Sequence, residues 1–286
     1  MALGKLTELP QIAKLSPSVM RILGCNPGIK TLQGTNTYLV GTGAKRVLID
    51  ASEPEKPSYM ANVKQVLKEE SVTISDIVVT HWHPDHLGGV QQLLSTLPSA
   101  PNVRKLPLEG ETFEYEIQKL VDGQEIRVEG ASLRVIHTPG HTKDHVVLLD
   151  TDRGALFSGD CILGETTAVF EDYVSYMASL KKILDLEPKV IYPGHGPVVD
   201  QPCDKIRMYI KHREQREKQY LDVLTKQSDF VSASFIAKDV YVGLEDFMLP
   251  AAAENVTVQL RKLKAEGKVL QDGDSDKWKL AYKRNA

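Results

Sequence analysis

A chain of 286 residues is long enough for one large domain, or for one large and one small. Its 42% hydrophobic and 26% charged residues are ordinary for a soluble globular protein, and no apolar run nears the roughly 18 residues of a bilayer-spanning helix, so no membrane partner is expected. Net charge is only −3 but uneven: residues 1–200 carry 19 Lys/Arg against 25 Asp/Glu, and residues 201–286 carry 16 against 13, an excess that suits a polyanion partner or simply solvated helix faces.

The N-terminal stretch 1–23 has no secretory apolar core; with only Glu8 against Lys5, Lys14 and Arg21 it has the acid-poor character of a mitochondrial address, though a ragged start before an ordinary first strand is the favoured reading. Residues 37–40 and 46–50 are β-branched or aromatic runs around Gly41-Thr42-Gly43, a hairpin signal. Met60, Val63, Val66 and Leu67 give helical spacing over 59–70. Residues 77–80 form a short apolar run typical of a buried strand, and they open directly into His81-Trp82-His83-Pro84-Asp85-His86. Residues 87–97 then read as a helix. From Val121 onward, Ile126, Val128, Leu133, Val135 and the block 146–149 supply strand positions between breaks at Asp122-Gly123, Gly130 and 152–154. The run 155–157 leads into Ser158-Gly159-Asp160. Tyr176, Leu180, Ile183 and Leu184 mark a helix ended by Pro188, and 190–192 is a strand that delivers Pro193-Gly194-His195-Gly196.

After about residue 200 the character changes. Residues 204–224 read as a long helix with a basic surface, and 251–266 as another that stops at Gly267. The order helix, strand 268–270, polar turn 271–277, strand 278–280 is the winged-helix pattern. The expected architecture is therefore a layered α/β sandwich over residues 1–204 with a small winged-helix-like domain over 205–286.

Alternate residues of an extended segment point the same way, so His81, His83 and Asp85 can converge from one face of a loop, with His86 following at the turn into a helix. Four nitrogen and oxygen donors in six residues suit a borderline cation such as zinc. Three further donors, His141, Asp160 and His195, each stand just past a strand and beside a glycine. Any one alone reads as a turn; together they complete a seven-ligand set for two metals. The three cysteines, Cys25, Cys161 and Cys203, are scattered without a CxxC pair, which argues against a disulfide framework and a thiolate zinc cage and fits a reducing compartment. Cys161 adjoins Asp160 but reads as a non-ligand. His145 reads as a packed histidine, a support to a ligand, or the proton donor to a leaving group. His137 reads as structural, His212 as a surface residue, Trp82 as packing that stiffens the metal loop, and Asn36 as a loop residue near the metals.

These motifs resemble the metallo-β-lactamase superfamily and occur in its order across residues 20–200. Residues 24–28, 33–38 and 141–145 and the winged-helix tail are similar to the lactamase-beta-like protein 2 family. The resemblance implies an αββα sandwich and a zinc-dependent endoribonuclease that hydrolyses single-stranded RNA with a metal-bridging hydroxide in the mitochondrial matrix, the cytoplasm being the alternative. It implies that His81, His83 and His141 hold one zinc ion, that Asp85, His86 and His195 hold the second, and that Asp160 bridges them, with Asp85 and Asp160 also in catalytic roles. Asp50 corresponds to a buried acid that props the metal loop, although the Thr-Gly that usually follows it is Ala51-Ser52 here. Only 34 residues separate Asp160 from His195, too few for the large insertion of β-CASP nucleases. Two rivals share the motifs: a thioester hydrolase like glyoxalase II, and a non-catalytic RNA-binding protein. The tail is expected either to hold RNA through Arg261, Lys262, Lys264, Lys268, Lys277, Lys279, Lys283 and Arg284, or to dock on the catalytic body or on a second copy; a homo-oligomer stays open.

Overall fold

A computed structural model of the chain describes residues 6–244 and 248–281; Lys5, Lys283 and Arg284 lie outside the described residues. The first sheet runs β1 (Ile12–Ser16), β2 (Val19–Leu23), β3 (Asn36–Val40), β4 (Lys45–Ile49), β5 (Thr73–Val79), β6 (Asn102–Lys105) and β7 (Ile117–Lys119) in that spatial order. Pairing is antiparallel up to β4 and parallel beyond it. In the second sheet β8 (Glu125–Val128), β9 (Ala131–His137), β10 (Val146–Asp150), β11 (Ala155–Gly159) and β12 (Val190–Pro193) also stand in sequence order, with only the last pair parallel.

Residues of opposite parity in each strand serve opposite layers. Tyr38, Val40, Val47, Ile49 and Val78 face between the sheets and meet Leu133, Val135, Val146, Leu148 and Phe157. Phe157, fully buried there edge-on to Tyr38, would cost about 3–5 kcal/mol if cut back to Ala. The strand neighbours Leu39, Leu48, Ile77 and Val79 belong to an outer core with the first helices. α1 (Pro57–Glu69) packs there with Tyr59, Met60, Val63 and Val66. The single helix expected over 87–97 is two, α2 (Pro84–Leu87) and α3 (Val90–Thr96). Between them the Gly89 N–H donates to the Ser52 carbonyl at 2.9 Å instead of continuing the helical ladder, and only glycine fits there, since a Cβ would stand 1.9 Å from the carbonyl oxygen of Ala51. On the far side, Val147, Leu149 and Leu156 pack with α4 (Tyr173–Asp185) and the first half of α5 (Pro202–Thr225). Both sheets are thus buried on both faces, which gives the four layers of an αββα sandwich.

The second half of α5 leaves that layer. Tyr220, Val223 and Leu224 join Ile236, Val256, Leu260, Leu263 and Trp278 in a separate core. It is built by β13 (Val231–Ser232), α6 (Ala233–Val240), α7 (Leu249–Ala265), β14 (Val269–Gln271) and β15 (Lys277–Leu280), the winged-helix order. The sequence pattern gave no sign of α6; Ser232, whose side chain accepts from the Phe235 N–H at 3.1 Å, is the cap that starts it. α5 serves both modules.

Candidate metal centre

The donor-bearing loops all leave strand ends at one rim of the sandwich. β5 ends at Val79, and the chain turns through Thr80 into the histidine loop. Asp50, just past β4 with φ of 61°, is buried and receives three hydrogen bonds. Thr80 donates its N–H at 2.8 Å and its hydroxyl at 3.0 Å, and His86 donates Nδ1–H at 2.7 Å. The Thr80 hydroxyl, committed to Asp50 as a donor, accepts from His81 Nδ1 at 3.0 Å. Elsewhere His141 Nδ1 donates to the Val169 carbonyl at 2.8 Å and His195 Nδ1 to that of Gly34 at 3.4 Å. These acceptors assign the proton of all four rings to Nδ1 and leave the Nε2 lone pairs facing inward.

Those inward atoms converge in two groups. His81 Nε2, His83 Nδ1 and His141 Nε2 lie 2.9, 3.1 and 3.2 Å from one another, with Asp160 beside them. Asp85 Oδ2 lies 3.2 Å from His86 Nε2 and 3.1 Å from His195 Nε2, and those two nitrogens are 3.3 Å apart. Asp160 spans the groups: Oδ2 is 3.6 Å from His141 Nε2, while Oδ1 is 3.4 Å from His86 Nε2 and 3.3 Å from His195 Nε2. Oδ1 is buried and has no hydrogen-bond donor. Lone pairs facing one another repel unless a positive charge sits among them. Tetrahedral ligands at about 2.0–2.1 Å from zinc stand about 3.4 Å apart, close to these spacings. The donor set therefore fits a pair of divalent cations.

Without cations the same carboxylates act on protons. Burial works against a charge on His195, but Asp160 and Asp85 outweigh it and push its pKa up to about 9. Burial likewise opposes charge on His86, and Asp85, Asp160 and Asp50 hold its pKa well above the ordinary value. His81, His83 and His141 go the other way, held down by burial first and by neighbouring histidines second, with His83 at about 4. Burial works against the charge of Asp85 and Asp160, but His86 and His195 outweigh it and hold both carboxyls far below the carboxylate range. A cation held by Asp85, His86 and His195 would thus displace protons from both histidines, whereas one held by His81, His83 and His141 would meet rings that are already neutral.

Some expectations need correction. His145 is not placed as a proton donor to a leaving group. It is fully buried, its Nδ1 lies 2.9 Å from the Thr138 hydroxyl, and its Nε2 accepts the backbone N–H of Asp160 at 3.1 Å, so both nitrogens are committed. Burial also holds its pKa well below the usual histidine value. Gly159, at φ 46°, lies beneath: a Cβ there would stand 2.7 Å from His145 Nε2. Asn36 is a strand residue in β3, not a loop residue, and its Nδ2 donates to the carbonyls of Pro193 (2.9 Å) and Gly196 (2.8 Å), clamping the loop that carries His195. Trp82 packs edge-on against the half-buried His83, ring centroids 4.6 Å apart, as expected of a residue that stiffens the loop, and it also leaves 37% of its surface exposed at the rim. Cys161 is buried in the outer core beneath α4, outside the donor groups.

Other contributors carry no motif. Lys105, fully buried at the end of β6, pairs with the fully buried Asp144 at 2.7 Å and with Glu111 at 2.7 Å, tying the His141–His145 loop to the first sheet. Such a pair repays its desolvation only when its geometry is good, and losing one partner strands the other charge.

The basic residues of the tail are largely engaged within the chain. Lys262 pairs with Glu217 (2.7 Å) and Glu266 (3.0 Å), and Lys268 with Glu266 (2.7 Å). Lys264 donates to Gln271 at 2.8 Å, and Lys279 lies over the Phe230 ring at 4.3 Å. One face of α7 meets the catalytic body: Val258 packs in the core with Tyr173 and Tyr176, and Gln259 is buried against α5.

Residues 31–195 match the profile of the metallo-beta-lactamase superfamily, and residues 232–278 that of the beta-lactamase associated winged helix domain. The chain belongs to the metallo-β-lactamase superfamily of hydrolases, in the beta-lactamase-like protein 2 family. It is 45% identical over 285 residues to the beta-lactamase-like protein 2 homolog of Drosophila melanogaster, covering 96% of this chain and 97% of the relative. A beta-lactamase domain protein from Burkholderia ambifaria shares the fold, with a TM-score of 0.81 at 16% identity over 94% of this chain and 93% of that one. The protein TTHA1623, solved in a di-iron-bound form, is 29% identical with a TM-score of 0.50, over 62% of this chain and 94% of that one.

Proposed function

We propose that the chain is a two-metal endoribonuclease acting on single-stranded RNA. The observation that carries this reading is Trp82, an aromatic ring exposed between two inward-facing ligands. A strand laid across the centre would bring a phosphate to the donor groups and an unpaired base to that indole. A duplex, whose bases are already stacked, has no such face to offer.

In this reading His81, His83 and His141 hold one cation, Asp85, His86 and His195 the other, and Asp160 spans them. A cation pair supplies charge for the phosphate oxygens and lowers the pKa of water to about 7. The chain's own residues fix where that happens. Asp85 and Asp160 remain ionised and supply the negative charge that holds the cations. Asp50, Thr80, Val169 and Gly34 lock four imidazoles in the donor tautomer. His145 fixes the main chain of Asp160. Zinc suits this nitrogen-rich donor set; the di-iron form of TTHA1623 makes iron the second candidate, since imidazole and carboxylate serve both.

The test is a side-by-side assay on an unstructured RNA, a duplex RNA and a glutathione thioester. Cleavage of the unstructured RNA is expected, sparing of the duplex, and a fall of about 10²–10³ in rate for Asp160→Asn. Thioester turnover without RNA cleavage would falsify the RNA reading and favour a glyoxalase II-like activity.

A further inference from the structure

Arg213 lies in the middle of α5, where that helix passes from the catalytic layer into the winged-helix core. It is 2% exposed. A guanidinium does not give up its proton in a protein, so this is a buried charge. Among the described residues it has no carboxylate partner. Instead, Nη2 donates to the carbonyl of Ala168, and the guanidinium carbon stands 4.8 Å from the ring centre of Phe170 and 5.8 Å from that of Tyr176. Those two rings stack on each other, 5.1 Å apart at 16°. Nε is buried without an acceptor. A charge kept at that cost needs a reason beyond packing.

The segment it grips supplies one. Val169, between the carbonyl and the ring that Arg213 holds, offers its own carbonyl to His141 Nδ1 at 2.8 Å. The next residues hold the main chain of the same histidine. Glu171 N–H donates to the Gly140 carbonyl (2.8 Å) and the His141 carbonyl (3.2 Å), and Asp172 N–H donates to Gly140 (3.1 Å). Residues 168–172 therefore clasp His141 by ring and backbone together, and Arg213 is the side chain that holds the clasp from outside.

The C-terminal domain reaches the same point. Gln259 of α7, 1% exposed, donates Nε2 to the Arg213 carbonyl at 3.4 Å. Three residues along the same helix, Lys262 lies 5.6 Å from the Tyr173 ring centre while paired with Glu217 of α5. A continuous line of contacts thus runs from α7 through Arg213 and the 168–172 clasp to an imidazole of the metal centre.

We infer that Arg213 is a positioning residue for His141, and that the winged-helix domain serves the metal centre by buttressing this residue. The inference rests on His141 being a ligand and is independent of the substrate. Arginine suits the position because its plane lies on an aromatic face while its edge donates to a carbonyl; lysine, a point charge on a flexible stem, does only one of these at a time.

The test uses the full-length chain with zinc as the probe, read by competition titration and by ¹⁵N NMR of the histidine rings. Partners in this position typically change metal affinity about 10–100-fold. Arg213→Met is expected to lower the affinity for one zinc equivalent by that order, to leave the other unchanged, and to lose the uniform Nδ1–H signal of His141. Arg213→Lys is expected to show a smaller loss in the same equivalent, and it carries the test if the Met variant does not fold. His141→Ala is the control and should remove the same equivalent. Unchanged zinc binding in His141→Ala would overturn the ligand assignment and the inference with it. Loss in His141→Ala, with zinc binding and the His141 signal unchanged in the Arg213 variants, would overturn the inference alone.

Discussion

Gly194 stands so close to Asp160 that a Cβ on residue 194 would lie 2.4 Å from the Asp160 Oδ1 atom. The glycine is there for room: the carboxylate that spans both donor groups occupies the place of its missing side chain. Its N–H also donates to the Gly159 carbonyl at 2.8 Å, locking the two loops together. Gly194→Ala is therefore expected to push Asp160 aside and reduce bound metal from two equivalents to one or none. Overpacking of this kind costs about 1–3 kcal/mol, so the protein should still fold. Metal analysis alongside a thermal melt checks both halves.

Asp50 supports the centre from below. Asp50→Ala would leave the Thr80 N–H, the Thr80 hydroxyl and His86 Nδ1 without their shared acceptor in a buried setting. Each orphaned group costs about 1–3 kcal/mol, and a total loss of about 3 kcal/mol or more is expected, with weakened metal binding at His86. Urea unfolding measures the first effect, and metal content the second.

The stability of the metal-free protein should depend on pH with a maximum near 6.5, the ordinary histidine value. His195, pushed up to about 9, and His86, held well above the ordinary value by its carboxylates, keep protons that the unfolded chain loses above 6.5. Their contribution is whole below that pH and is lost as pH rises through about 9. His83, held at about 4, and His81, held well below the ordinary value by burial, refuse protons that the unfolded chain takes up below 6.5, so stability also falls on acidification towards 4. Metal-loaded protein should lose the alkaline limb, because the same nitrogens then carry no proton. Denaturant titrations with chelator and with metal, from pH 5 to 9, show whether the limb is present and then absent.

Trp82 makes a direct optical test available. The chain has two tryptophans; Trp278 is fully buried in the winged-helix core and Trp82 is exposed at the metal rim. Unstructured RNA added to the inactive Asp160→Asn protein should quench the exposed indole alone. Trp82→Ala should weaken that binding by about 1–3 kcal/mol with metal content unchanged. Abasic RNA that quenches as strongly as normal RNA would count against stacking.

The donors were legible in the sequence because each carries its chemistry in its own side chain. Four sit together at 81–86, and His141, Asp160 and His195 each stand beside a glycine at the end of an apolar run. Short continuous apolar runs such as those in β3, β4 and β10 likewise show strands buried on both faces. What orients the donors was less legible. Val169 and Gly34 act through main-chain carbonyls, which leave no residue signature, and Gly34 is 161 positions from the histidine it holds. The partners of Arg213 and Lys105 come from other elements, so neither basic residue could be told from a surface charge. The two-helix break at Gly88-Gly89 goes with the Gly89 N–H bonding to the Ser52 carbonyl, a contact between distant segments. The packing of Trp82 on the metal loop is legible from its place between two ligands, but a single aromatic within a loop does not say how much of its ring faces solvent.

The most direct measurement is zinc titration of metal-stripped protein while following cleavage of an unstructured, end-labelled RNA. A two-metal centre should give no cleavage in the stripped protein and a rise to a plateau at two equivalents per chain. Cleavage that survives stripping, or that never appears at any zinc loading, would contradict it.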